Sequence, residues 1–429
     1  MKQQEPLSII AKMDHSDSLH AQVAQARIRT EVTPLRENLG QESVNIHDAL
    51  GRILALDIIS PINVPPADNS AMDGYAFNSA VLSASHEIEL RVAGSVLAGQ
   101  SALAIRGLEF NPKSDCFKIM TGAVIPAECD TVIPHEWVQL TELGIRFSGT
   151  SIRAGHNCRR KGEDLGMGLP ALRAGRRLMP SDLGLIASLG ISQVPVKKRL
   201  KVAFFSTGNE ICSVDETLRS GSVFDSNRYT IFGMLSRLGL EIIDLGIVRD
   251  DPSELSEAFE KAAKLADVII TSGGVSAGDA DFTRKAMAQS GDIAFWNLAI
   301  KPGRPMAFGQ VKNAILFGLP GNPVAVMTTF YLFVQDALLW ISGAKDTSPP
   351  LLQARLSQDI KKRAGRTEFI RASLSCDENG ITWVCPNSHQ GSGVLRSMSE
   401  ADCFIILKHE EGNITQGSLV NILLFTGLI

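Results

Sequence analysis

The sequence predicts a multidomain protein, with a central domain of alternating strands and helices flanked by β-rich regions. Three observations carry this reading. The chain has 429 residues, 44% hydrophobic and 21% charged, which is more than one core usually organises. From Leu200 to about Gly343, strand-like and helix-like segments alternate, the pattern of a βαβ series with helices on both faces of a parallel sheet. On either side, short alternating runs are broken by Gly and Pro, the pattern of small β domains.

Taken in order, MKQQEPLSIIAKMDHSDS has no apolar core of signal-peptide length, so residues 1–24 read as a loose tail. VNIHDALGRILA (44–55) is helical in period, and residues 25–68 with 152–196 are expected to form a discontinuous helical linker domain. Between them, EIELRVAGSV, DTVIPHEWVQL and GIRFSG read as strands of an inserted β domain, 69–151. The α/β domain, 197–344, opens with the strand KVAFFSTG, the helix SNRYTIFGMLSRLG with its terminal glycine, and the strand LEIIDLGIV. DPSELSEAFEKAAKLA then reads as a helix with Pro252 early and Glu254 in its first turn. It is followed by the strand at Val268–Ile270 and the helix DFTRKAMAQSG. After Pro349 and Pro350, the runs EFIRASLS, ITWVCP, CFIILKHE and SLVNILLF indicate a C-terminal, barrel-like β domain, 345–429.

A net charge of −4 argues against a general nucleic-acid surface, so any anion site must come from local clusters. The seven cysteines are scattered without a CxxC pair, which fits reduced thiols and a cytoplasmic location. No uninterrupted apolar stretch reaches the roughly 18 residues of a membrane span, so no membrane partner is expected.

Four loops collect glycine with acid or hydroxyl residues after strands: STGNE (206–210), RDD (249–251), SGGVSAGDAD (272–281) and LPGNP (319–323). In a parallel sheet all four lie on one edge, where backbone N–H groups meet phosphate and carboxylates hold a divalent cation. The candidate substrate contacts there are Ser272, Gly273, Gly274, Ser276, Asp279, Pro320, Gly321, Asn322 and Pro323. Any one loop alone reads first as an ordinary connection, and LPGNP alone reads as capping by Asn322; it is the four together that favour a nucleotide-phosphate pocket with magnesium. PPADNSAMDGYAF (65–77) carries Met72, Tyr75 and Phe77, so it is either a loop held in place by apolar anchors or a plain turn at Asp73 and Gly74. The cations Arg159 and Arg160 in NCRRKGEDLG are either a solvated face or a phosphate clamp. IKPGRP (300–305) has the same ambiguity, although its prolines would hold Lys301 and Arg304 in defined positions.

In order along the chain, DNSAMDGYA, KIMTGAVIP, RRKGEDLG, FSTGNE, VFDSNR, LGIVRDDP, TSGGVSAGDADFT, AIKPGRPMAFG, LPGNPV and HQGSG resemble the bacterial molybdopterin molybdenumtransferase family, MoeA, whose eukaryotic counterparts include the gephyrin E domain. The resemblance runs from about residue 25 to the C-terminus. It implies a central molybdopterin-binding, MogA-like domain and an elongated homodimer of four-domain subunits. It implies insertion of molybdate into adenylylated molybdopterin, with Mg²⁺ and release of AMP. Expected partners are a molybdopterin adenylyltransferase and downstream cofactor-maturation proteins. Carried over by position, the catalytic residues are Asp73, Thr121, Asp164, Glu210, Asp250, Asp281 and Lys301, with Glu210, Asp250 and Asp281 serving the metal. Arg366, Arg371, Ser392 and Ser397 are oxyanion contacts on the same ground. Asn209 stands where many relatives have Asp, Asn297 where a close relative has Lys, and Arg304 where Lys is common. The alternative is a non-catalytic pterin- or nucleotide-binding scaffold, against which the joint presence of Glu210, Asp250 and Asp281 counts. An enzyme related to the competence-damage proteins would leave DNSAMDGYA and the C-terminal domain unexplained.

Overall fold

The computed structural model describes residues 18–83, 86–100, 109–275 and 282–425. The chain divides into two compact units, one holding the chain up to Ala55 with Gly175–Met179 and Gln193 onward, the other Leu56–Ala174 with Pro180–Ser192.

The first unit is built on a six-stranded sheet. Along the chain come β1 (Lys201–Thr207), α1 (Ser226–Leu238), β2 (Glu241–Val248), α2 (Pro252–Leu265), β3 (Val268–Ser272), α3 (Phe282–Ser290), β4 (Asp292–Asn297), β5 (Pro305–Val311), β6 (Ala314–Leu319) and α4 (Pro323–Ile341). The spatial order is β2-β1-β3-β6-β5-β4. The parallel arrangement expected from the sequence covers the first four of these strands, whereas β5 runs antiparallel to both neighbours. The reason is local. Val311 and Ala314 are register partners across only Lys312, at φ 55°, and Asn313, and so short a turn can join only antiparallel strands. Burial of β1 and β3 along almost their whole length explains their continuous apolar runs.

The helices start and stop where local chemistry dictates. Asp251 caps α2 by accepting from the Ser253 and Glu254 amides, with Pro252 at the first helical position. Gly239, at φ 72°, closes α1. Helix α4 is long and apolar enough to cross a membrane by length and composition, but 67% of its most apolar window is buried inside the protein. Its middle turn, Phe330–Val334, is a π-helix.

Two readings of the N-terminal region need correction. The tail assigned to residues 1–24 gives way to helix within that range, since Ala21–Asn38 is helical. Ala24, Ile28 and Val32 recur every four residues and form its buried stripe. VNIHDALGRILA is not an α-helix. Gln41–Asn45 is a strand paired antiparallel with Gln193–Lys197, followed by a 3-10 turn at Ile46–Asp48. Asn45 Oδ1 accepts from the His47 amide, and Gly51 sits at φ 73°, so strand pairing and a left-handed residue override the helical period.

After α4 the chain forms a closed five-stranded barrel. Thr367–Cys376, Thr382–Pro386, Leu352–Leu356, Leu419–Leu424 and Cys403–Leu407 pair in that order, and the last strand returns to the first. Phe369, Phe404 and Leu423 of this barrel join the same buried cluster as Phe308 and Phe317 of the sheet. The second unit has its own six-stranded sheet, from Thr131–Pro134 through Gly74–Phe77, Asp115–Ile119, Glu87–Val96 and Gly144–Ser148 to Gln139–Leu140. All seven cysteines are free. Burial pushes the thiols of Cys116 and Cys403 up to about 12, far from the thiolate range of a nucleophile.

Candidate functional site

Strand register brings the glycine- and acid-bearing loops to one edge. Thr207 pairs with Val248, Ser206 with Ser272, and Ser272 with Leu319. The carboxyl ends of β1, β2, β3 and β6 are therefore level, and the four loops leave the sheet side by side. IKPGRP arrives at the same edge from the antiparallel strands, because Asn297 at the end of β4 faces Pro305 at the start of β5.

Asp250 is held in place on this edge by two hydrogen bonds. Its Oδ1 accepts from the Thr283 amide at 3.1 Å and the Thr283 hydroxyl at 2.9 Å. Its own N–H donates to Asn209 Oδ1 at 3.2 Å, so Asn209, one of the departures from the family pattern, ties the first loop to the second. Ser272 Oγ donates to Ser206 Oγ at 3.1 Å. Gly273 and Gly274 lie at φ 95° and 68°. A Cβ would fall 2.6 Å from the Thr207 carbonyl oxygen at the first and 2.2 Å from Thr283 Cβ at the second. Packing alone therefore requires glycine at both positions, besides any approach of a ligand. Ser276, Asp279 and Asp281 lie outside the described residues.

In LPGNP, Pro320 is buried while Gly321 and Asn322 are exposed. Asn322 precedes Pro323 without making a side-chain cap, contrary to the capping reading. The Val324 amide of the first turn instead donates to the Ser392 carbonyl at 3.1 Å. This places the HQGSG segment over the start of α4 and assigns Ser392 a backbone role there.

A second cluster adjoins IKPGRP. Ile300–Lys301 pairs in parallel with Thr367–Glu368 of the barrel, and Lys301 Nζ lies 3.3 Å from Glu368 Oε2. A cavity of about 240 Å³ opens beside it, lined by residues including Lys301, Pro302, Glu368, Arg371 and Gln390. Arg371 is fully buried. Its Nε donates to Ser397 Oγ at 2.9 Å, and its Nη2 donates to the carbonyls of His389 and Gly391 at 3.0 and 3.1 Å. Among the described residues no carboxylate pairs with it, and burial holds its pKa below the ordinary guanidinium value. Ser397 gives its own hydrogen to the Val394 carbonyl at 2.6 Å. It therefore positions Arg371 and has no hydrogen left for an oxyanion. Arg304 and Arg366 are exposed. A larger cavity, about 480 Å³, lies between the N-terminal helix and the barrel around His20, Tyr331 and His409, and none of the candidate residues lines it.

The second unit assembles its own group. Asp73 Oδ1 accepts from the Thr121 amide at 2.7 Å and the Thr121 hydroxyl at 2.6 Å, which holds this exposed carboxyl below its ordinary range. Whatever these bonds contribute to folding is present above the ordinary carboxyl range and disappears as pH falls through the depressed folded pKa. Thr121→Val should raise the titration of Asp73 toward the usual value of about 3.9. An NMR titration of Asp73 with no upward shift would show that the hydroxyl bond does not matter. The DNSAMDGYA and RRKGEDLG segments meet directly, Ser70 and Asn69 pairing with Cys158 and Arg159. Arg160 Nη1 donates to Asp68 at 2.9 Å, so an acid already occupies it, while Arg159 and Asp164 are exposed. Asp73-Gly74 is not a turn. Gly74 begins the strand Gly74–Phe77, and a Cβ there would lie 2.0 Å from the Ile133 carbonyl oxygen. Tyr75 and Phe77 are buried anchors, but Met72 is exposed.

Glu210 and Asp250 supply hard oxygen donors from adjoining loops, and Mg²⁺ is commonly held by one or two carboxylates completed by water and substrate phosphate. The donor set fits that ion in this mode. Among the described residues no group of three or more His, Cys, Asp or Glu converges on a metal position.

The sequence reading did not single out Thr283, which holds Asp250, or Glu368, which faces Lys301. Thr283 and Glu368 act through strand and loop neighbours that no local pattern reveals.

The chain matches the MoeA N-terminal region (domain I and II) over residues 19–190, a probable molybdopterin binding domain over 203–340, and the MoeA C-terminal region (domain IV) over 353–425. It is 42% identical over 389 residues to a molybdopterin molybdenumtransferase of Haemophilus influenzae, covering 90% of this chain and 95% of that one. It is 32% identical to one of a Nostoc species over 89% of this chain and 88% of that one. The crystal structure of the molybdopterin biosynthesis moeA protein of Pyrococcus horikoshii superposes with a TM-score of 0.77 at 30% identity, covering 93% of this chain and 99% of that one. With a sheet-edge site of this kind and such similarity along nearly its whole length, the chain belongs to the MoeA family of molybdopterin molybdenumtransferases.

Proposed function

We propose that this protein carries out the molybdate-insertion step of molybdenum cofactor biosynthesis in the cytoplasm, taking adenylylated molybdopterin and molybdate, with Mg²⁺, and releasing AMP. The observation that carries the reading is the meeting of two unlike groups on one sheet edge. Glycine- and carboxylate-bearing loops at β1, β2, β3 and β6 suit a nucleotide phosphate, and beside them a cavity is walled by Lys301 and the buried Arg371.

Ser272, Gly273, Gly274 and Gly321 would line the phosphates, with Glu210, Asp250 and Asp281 the residues to hold Mg²⁺. Bound there, the ion offsets charge on the adenylate phosphate as it is cleaved. Asp250 is kept oriented by Thr283, so its carboxylate needs little rearrangement to act. Arg371, with no carboxylate of its own, would attract the doubly charged molybdate, and Lys301 would share that task despite Glu368. Asn297 contributes a carbonyl that accepts from the Leu19 amide at 2.7 Å, and its neutral side chain leaves the local positive charge to other residues, among them Lys301, Arg304, Lys361 and Arg371.

Lys301→Ala should raise the molybdate needed for half-maximal insertion several-fold with nucleotide binding nearly intact, and added salt should weaken molybdate use by the wild type. A molybdate titration of cofactor formation at two ionic strengths, with calorimetry of AMP in parallel, tests this. Abolished AMP binding with unchanged molybdate dependence would assign Lys301 to the phosphate site instead. The protein acts as a homodimer with upstream adenylyltransferase and downstream maturation partners; light scattering showing a monomer at micromolar concentration would remove the dimer.

A further inference from the structure

Two oxygens at the start of α1 have no assigned purpose. Asp225 caps this helix by accepting from the Arg228 amide at 3.0 Å through Oδ1, and its own N–H donates to the Cys212 carbonyl at 3.0 Å. Two residues on, Asn227 Nδ2 donates to the Gly321 carbonyl of LPGNP at 2.8 Å. That bond fixes which way the amide faces, because a flipped amide would set two acceptors against each other. Asp225 is 3% exposed and Asn227 8%. The remaining acceptors, Asp225 Oδ2 and Asn227 Oδ1, are both buried and without a hydrogen-bond partner.

Helix capping accounts for Asp225 Oδ1 and leaves these two oxygens unexplained. Buried acceptors are nearly always satisfied in native proteins, so a pair left open calls for a donor from elsewhere. The pair sits where the nucleotide is expected: α1 follows β1, and Gly321 belongs to a loop of the same sheet edge. Asp225 brings a negative charge, so these oxygens would repel phosphate and accept N–H or O–H groups.

We propose that Asp225 and Asn227 each read a hydrogen-bond donor of the nucleotide substrate through its open oxygen. The chemistry fits either the amino–imino edge of the pterin or the cis-diol of the adenylate ribose. This inference rests on the nucleotide-substrate reading given above and adds to it the residues that recognise the non-phosphate part.

The test is calorimetry on the full chain with two probes, AMP and 6-hydroxymethylpterin. Asp225→Asn keeps the cap, since Asn caps a helix as well as Asp, but turns one open acceptor into a donor. Asn227→Ala removes the other. Each variant is expected to weaken one probe by about tenfold or more. The loss should vanish when that probe is replaced by its counterpart without the donors, 2′,3′-dideoxy-AMP for the ribose source or the pterin lacking its 2-amino group for the pterin source. Wild-type affinity for both probes in Asp225→Asn overturns the proposal, as does an equal loss for a probe and its donor-free counterpart, which marks a structural effect. If the wild type binds neither probe, the nucleotide reading falls and the subsite with it. Should Asn227→Ala fail to fold, Asp225→Asn decides alone.

Discussion

Asp250→Asn is expected to slow cleavage of the adenylate by about 10² to 10³ while leaving the nucleotide bound, the scale for loss of one preorganised electrostatic interaction. The substitution keeps the size of the side chain and one oxygen to accept from Thr283, whose amide and hydroxyl now hold Oδ1 at 3.1 and 2.9 Å. What changes is the charge, and with it the capacity to hold Mg²⁺ against a phosphate. Single-turnover release of AMP from preformed complex measures the step directly. An unchanged rate with unchanged affinity would take Asp250 out of the site, and weakened binding with an unchanged rate at saturation would reduce it to a residue that only binds substrate. Asp281→Asn should behave alike if the two acids serve one ion.

The other large effect is on the backbone of the same edge. Gly274→Ala should destabilise the first unit by roughly 3 kcal/mol, because overpacking and a left-handed backbone act together. The new Cβ would lie 2.2 Å from Thr283 Cβ, and the residue sits at φ 68°. Relief requires Thr283 to move, and Thr283 is what orients Asp250. The variant should therefore lose both thermal stability and adenylate cleavage, whereas Gly321→Ala, where the nearest atom to a new Cβ is 3.9 Å away, should be tolerated in unfolding. Chemical denaturation of the two variants side by side separates them. Equal stability would show that the 273–274 turn adapts and that its glycines answer only to the ligand.

Much of this protein is legible in its residues alone. The βαβ series, the caps at Asp251 and Gly239, and the level of the four loops follow from periods, turn residues and the rule that parallel strands end on one edge. These are local signals, or consequences of one topological rule, so the sequence carries them in full. The family is legible in the same way, through ordered motifs.

Where distant parts of the chain meet, the sequence by itself was silent or misleading. VNIHDALGRILA has a helical period, yet pairing with Gln193–Lys197 makes its beginning a strand. Ser397 looked like an oxyanion ligand, but its hydrogen is committed to Val394 and its lone pair to Arg371. Arg160 looked like a phosphate clamp and is held by Asp68. Gly74 read as part of either a held loop or a plain turn and is a strand residue pressed against the Ile133 carbonyl. In each case the residue type permits several uses, and the choice depends on which neighbour folding brings within about 3 Å. Residue type and spacing determined the chemistry this chain has at its disposal; tertiary packing decided which groups remain free to use it, because a hydrogen bond or a charge already satisfied inside the protein is not available to a ligand.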